Sequence, residues 1–114
     1  MDRELLEMAA KAAAIQMIGL VDNMIAQPDH RTGGFIIRND RGGDSCWNPL
    51  TDDGDALRLA AKLEIDIRFY TESEEAWVET AAYGGNADEL LAPDPYTATR
   101  RAIVCAAAEI GRTM

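Results

Sequence analysis

The stretch WNPLTDDGD, Trp47 to Asp55, gathers three aspartates, a proline and one of the chain's two tryptophans into nine residues. Carboxylates at this density could do two kinds of chemistry: ligate a hard cation through oxygen, or act as a paired general acid and base. A calcium loop needs alternating oxygen ligands, Gly at its sixth position and Glu at its twelfth. Placing Gly54 sixth puts Pro49 first and Ala60 last, so the pattern fails at both ends. A helix start accounts for the same residues. Thr51 stands where an N-cap belongs, Asp52, Asp53 and Asp55 fall in the first turn, and Ala56, Leu59, Ala60 and Leu63 follow at helical spacing. Carboxylates at the positive end of a helix contribute about 0.3–1 kcal/mol each, less their mutual repulsion. Trp47 and Pro49 then read as a buried latch leading into this helix, with Leu50 as a hydrophobic staple; the alternative is an exposed Trp47 that anchors a partner.

Other chemistry-bearing residues are sparse. Cys46 and Cys105 lie far apart without a CxxC spacing, and with the single His30 they make no zinc set, so two unbridged thiols and no metal are expected. Gly42 and Gly43 lack both the GxxxxGK and the GxGxxG context of a phosphate cradle and read as a plain loop. There is no GxSxG and no HExxH. Paired acids such as Asp53 and Asp55 keep a composite acid–base site open as an alternative, but the chain reads as a non-enzyme with no catalytic residue and no cofactor.

Charge is the strongest global signal. The net charge is −9, and between Asp44 and Asp94 thirteen Asp or Glu face three Lys or Arg, a local balance of −10; the rest of the chain carries seven acids and eight bases, or +1. Such a surface repels nucleic acid and attracts basic partners, while simple solubility is the plainer explanation. The charged N-terminus MDRELLEMAA differs from a signal peptide, and no run approaches the length of a membrane span, so a cytoplasmic protein without direct nucleic-acid or membrane binding is expected.

These residues need elements to position them. The length of 114 residues suits one domain, 1–114. Asp2 to Ala14 reads as a helix with Leu5, Met8 or Ala9, Ala12 and Ile15 on its buried face. Residues 15–26 read as a strand, with a continued helix as the alternative. The turn AQPDHRTGG and the strand FIIRN complete a hairpin, and DRGGDSC is a loop. EIDIRFY alternates, with Ile65, Ile67 and Phe69 opposite Glu64, Asp66, Arg68 and Tyr70; TESE is a turn and EAWVETAA the matching strand. YGGNADELLAPD reads as irregular, with a helical turn at Ala87 to Leu91. Asp94 and Pro95 start a last helix whose inward face is Thr99, Ile103, Ala106 and Ile110, with Arg100 and Arg101 outward or paired with acids and Cys105 a small core residue. The expectation is thus an α/β (α+β) domain ordered α-β-β-α-β-β-α, its three helices packed on a mainly antiparallel sheet. Its core draws on Leu5, Ala9, Phe35, Ile37, Leu59, Leu63, Ile65, Ile67, Phe69, Ile103 and Ile110.

WNPLTDDGDALRLAAKL, flanked by MDRELLEMAAKAAAI and ATRRAIVCAAAEIG, resembles a group of small phage and prophage proteins of unassigned function related to the phage α-β-α sandwich domain. That resemblance implies a fold and an origin, with no catalytic residues to carry over. Together with the −10 segment it leads to the expectation of a phage-encoded acidic protein that inhibits or modulates a host complex through its basic, nucleic-acid-binding surface, an anti-CRISPR inhibitor being the concrete form. The candidate partner-binding residues are Glu72, Glu74, Glu75, Glu79, Asp88 and Glu89. The alternatives are an assembly protein forming oligomers through an edge strand or its alanine-rich helices, and a small-molecule-binding domain without catalysis.

Overall fold

The N-terminal run DRELLEMAAKA is made of strong helix formers and folds as α1 (Asp2–Ala12), burying Leu5, Leu6, Ala9 and Ala10 along one stripe. The computed structural model describes residues 2–15, 17–20, 35–38, 44–72 and 74–114. Expectations for His30, for the turn at 26–34, for the glycine pair 42–43 and for the Phe35 side chain lie outside the described residues. Beyond α1, Ala14 takes φ 56°, and the Ile15 N–H donates to the Ala10 carbonyl at 2.9 Å, which closes the helix and turns the chain toward the first sheet.

That sheet is antiparallel throughout, in the order β1 (Met17–Leu20), β2 (Phe35–Arg38), β3 (Asp44–Trp47). Strand β3 occupies part of the stretch read from sequence as a loop. Its Asp-Ser-Cys start has poor strand propensity, and pairing with β2 from Arg38↔Asp44 to Phe35↔Trp47 overrides it. Trp47 ends β3 at 4% exposure inside the main core, and Pro49 is fully buried, so the latch reading holds over the exposed anchor.

Helix α2 (Asp53–Lys62) follows, with Ala56, Leu59 and Ala60 buried. It ends on Glu64 at φ 54°, with the Ile65 N–H donating to the Ala60 carbonyl at 2.9 Å. The second sheet is again antiparallel, in the order β4 (Asp66–Tyr70), β5 (Trp77–Ala82), β6 (Gly85–Leu90). The helical turn expected at 87–91 is instead β6: Ala82↔Gly85 closes a two-residue turn on Tyr83 and Gly84, where Gly84 takes φ 95°, and five further pairs reach Trp77↔Leu90. The class is α+β as the sequence implies, with one strand more before α2 and one more before α3 than the pattern suggests.

The last helix, α3 (Pro95–Arg112), lies on one face of the second sheet. The Thr80 hydroxyl points into that interface, donating toward the Ala102 carbonyl at 2.9 Å. A Cβ on Gly85 would run into the Ala106 carbonyl oxygen, which shows how closely β6 approaches the helix. On its other side α3 meets α1 through small residues: Ala9, Ala10, Ala106, Ala107 and Ala108 are fully buried, and a Cβ on Gly111 would collide with the Met8 carbonyl. Arg101 pairs with Asp2 at 3.3 Å and Lys11 reaches the Met114 carbonyl at 3.4 Å, so the two helices run in the same direction. Leu5, Ala9, Leu59, Ile65 and Ile103 are core as expected, Ile37, Leu63 and Ile67 pack against the core half-buried, and Ile110 is half-buried. Phe69 departs from expectation. It shares the inner face with Val78, but on edge strand β4 it overhangs the helices' cover and stays 53% exposed.

Candidate functional site

Asp52, Asp53 and Asp55 are engaged in building the α2 N-terminus. The N-cap is Asp52 rather than Thr51: its Oδ2 accepts the Asp55 N–H at 2.8 Å from an extended backbone. Thr51 is one residue too early and exposed, its hydroxyl reaching only toward the Asn48 carbonyl at 3.4 Å. Asp55 is 4% exposed, and its two oxygens serve different groups: Oδ2 accepts the Asn48 backbone N–H at 2.9 Å, and Oδ1 accepts Arg58 Nη2 at 2.8 Å. Asn48 Oδ1 in turn accepts the Leu50 N–H at 3.1 Å, which folds the turn between β3 and the helix. Asp53 pairs outward with Arg100 Nη1 at 2.6 Å. Asp52 caps the helix, Asp55 ties down the turn and Asp53 pairs outward, with Arg58 Nη2 lying 2.8 Å from Asp55 and 3.8 Å from Asp52, an arrangement that fixes a helix entry. Among the described residues no group of three or more His, Cys, Asp or Glu could hold a metal ion. No disulfide joins Cys46 and Cys105; Cys105 packs half-buried against the core, and burial pushes its thiol pKa up.

The open chemistry lies on the second sheet. Its strands alternate, and because Val78 and Thr80 face α3, Trp77, Glu79 and Ala81 face away from it. Strand register then sets three cross-strand rows on the outer face: Tyr70, Trp77 and Leu90; Arg68, Glu79 and Asp88; Asp66, Ala81 and Asn86. None of these nine residues is buried. In the first row the Tyr70 and Trp77 rings stack with centroids 4.2 Å apart and planes 10° from parallel, and Leu90 beside them is 57% exposed. The Tyr70 hydroxyl donates to Glu79 Oε1 at 3.3 Å, which ties the apolar row to the charged one. Arg68 is the one cation among these nine residues. Hydrogen bonding to Tyr70, together with the nearby Glu79 carboxylate, holds its guanidinium still more firmly protonated.

The six sequence-predicted contact residues divide accordingly. Glu79 and Asp88 are direct cross-strand neighbours on the outer face. Glu72, Glu74 and Glu75 are exposed in the β4–β5 connection, beyond the aromatic row, so carboxylates stand on both sides of Tyr70, Trp77 and Leu90. Glu89 does not join them. It pairs in register with buried Val78, so it sits on the face that α3 covers, and its charge is felt at Cys105. Sequence reasoning missed the apolar half of this surface, although the alternation of EIDIRFY already set Tyr70 on the face of Asp66 and Arg68. What it lacked was the pairing of Tyr70 with Trp77 and the existence of β6. Comparison with protein-family models, with curated proteins and with solved structures finds no match.

Proposed function

We propose that this chain is a non-catalytic binding domain that docks the outer face of β4–β5–β6 onto a basic protein surface. The observation that supports this reading is one open sheet face on which a stacked aromatic pair and Leu90 lie between two groups of carboxylates. Arginine is the side chain such a surface suits best. A guanidinium stacks on aromatic rings, contributing about 0.5–2 kcal/mol, and pairs with carboxylates in a fixed fork. Within the chain, Arg68 already hydrogen-bonds Tyr70 and stands opposite Glu79 in the strand register. The −10 segment from Asp44 to Asp94 adds long-range attraction toward a basic partner.

In its concrete form the domain is a phage-encoded inhibitor that covers the nucleic-acid channel of a host defence complex, such as a CRISPR effector, with its carboxylates standing where phosphates would bind. The charge distribution and the position of Glu72, Glu74, Glu75, Glu79 and Asp88 support it. The test combines Glu79→Lys and Asp88→Lys with Trp77→Ala in separate variants and measures association with an effector complex against salt. The reading requires that the charge reversals slow association and flatten its salt dependence while Trp77→Ala speeds dissociation. Unchanged association in the double reversal would discard it.

A further inference from the structure

A second exposed surface differs in chemistry from the acidic sheet face. Helices α2 and α3 and strand β4 frame a cleft of about 220 Å³, lined below by Ala56, Ile67 and Ile103 and rimmed by Leu57, Phe69 and Tyr96. The three rim side chains are 65%, 53% and 70% exposed, and they account for half of the six large hydrophobics that the described surface leaves in solvent. Clustering of this kind around a concave apolar floor marks a place that binds something, where scattered exposed side chains would not.

The surface of the cleft is almost wholly apolar, and two charged residues, Asp53 and Arg100, stand in its lining. Arg100 is only 16% exposed, and its guanidinium is oriented by three bonds: Nε to the Leu50 carbonyl at 2.9 Å, Nη1 to Asp53 Oδ1 at 2.6 Å, and Nη2 to Thr97 Oγ1 at 3.1 Å. A guanidinium carries five N–H donors, so two remain after these three. Its carboxylate partner Asp53 is 75% exposed, and an exposed ion pair of this kind is weak enough to exchange for another carboxylate. Size limits the rest of the ligand. An apolar cavity of about 150 Å³ accommodates benzene, so this cleft has room for a single ring or a branched alkyl group with a short polar arm.

We propose that the cleft is a binding site for a small organic carboxylate with a compact apolar body, of the size of a monocyclic aryl or branched-chain acid. The body rests on Ile67 and Ile103 between Leu57, Phe69 and Tyr96, and the carboxylate takes the N–H donors of Arg100 in place of Asp53. This site is independent of the sheet face, because its residues lie on α2, α3 and the opposite face of β4.

Phenylacetate serves as the probe and phenylacetamide, of the same shape without charge, as its control. Titration of the labelled protein is followed by NMR at about 0.15 M salt, where long-range repulsion from the rest of the chain is screened. The expected result is saturable shifts at Leu57, Phe69, Tyr96 and Arg100, with phenylacetate bound about tenfold more tightly than the amide, the equivalent of one charge-assisted pair. Asp53→Asn removes the competing carboxylate and should tighten phenylacetate several-fold while leaving the amide unchanged. Leu57→Glu, at a position exposed enough to leave the fold intact, should abolish phenylacetate binding. Equal affinities for the two probes, shifts outside the cleft, or no saturation into the millimolar range would each overturn the proposal.

Discussion

Asp55→Ala separates a structural carboxylate from a functional one. The substitution leaves the Asn48 N–H without its acceptor at a residue that is 5% exposed. An unsatisfied buried donor costs about 1–3 kcal/mol. Loss of the Arg58 pair adds little, because Arg58 is 71% exposed and such pairs contribute about 0–1 kcal/mol. The sum is about 1–4 kcal/mol, which for a slope of roughly 1.5 kcal/mol per molar lowers the urea midpoint by about 0.7–2.7 M. Asp55→Asn keeps an oxygen for Asn48 and should recover more than half of that loss, whereas Asp53→Asn, at an exposed pair, should shift stability by less than about 1 kcal/mol. Equilibrium urea unfolding followed by tryptophan fluorescence reads all three, since Trp47 is buried next to the turn. Equal midpoints for Asp55→Ala and wild type would refute the structural account and return Asp55 to the list of candidate reactive groups.

Other perturbations test the frame that carries the two surfaces. Gly111→Ala places a methyl group against the Met8 carbonyl and should destabilise the α1–α3 contact by about 1–3 kcal/mol or more, read as a lowered melting temperature. Glu64→Gly relieves a positive φ of 54° at an exposed position and should stabilise by about 0.5–1 kcal/mol in the same assay; a loss of stability would mean that α2 ends differently. Asp94 has its carboxyl pKa lowered, first by the Thr97 hydroxyl and then by the Tyr96 N–H. Its folded pKa lies below its unfolded one, so its stabilisation of α3 is present above the unfolded pKa and fades as pH falls through the folded pKa. Asp94→Asn should therefore flatten the acid side of the stability–pH curve, and an unchanged acid limb would contradict the cap.

Local sequence signals located what local chemistry determines. The α3 start was legible because Asp94 and Pro95 are both cap residues, and β4–β5 because alternation and a charged turn are visible within twenty residues. The two strands that escaped, Asp44–Trp47 and Gly85–Leu90, are rich in Asp, Asn, Ser, Gly and Glu, which strands disfavour. They form because a partner strand offers a full set of hydrogen bonds, and for β6 because Gly85 lets the chain lie against α3. The same non-local pairing decides the candidate site. Acidity alone grouped Glu89 with Asp88, yet a strand sends neighbours to opposite faces, and register took Glu89 to the helix side while bringing Trp77 and Leu90 to the open one. Asp52 displaced Thr51 as cap by a single residue, a distinction that depends on where the turn from Asn48 delivers the chain.

Whether the acidic, aromatic-bearing sheet face recognises a basic protein surface, as we propose, is directly testable. The most direct measurement is an affinity capture from lysate of a bacterium with an active CRISPR system, at low and at high salt, using the wild-type chain and the Glu79→Lys, Asp88→Lys double variant as parallel baits. A nucleic-acid-handling complex should be retained by the wild type at low salt, released at high salt, and missing from the variant. The same catch on both baits, or no catch at either salt, would contradict it.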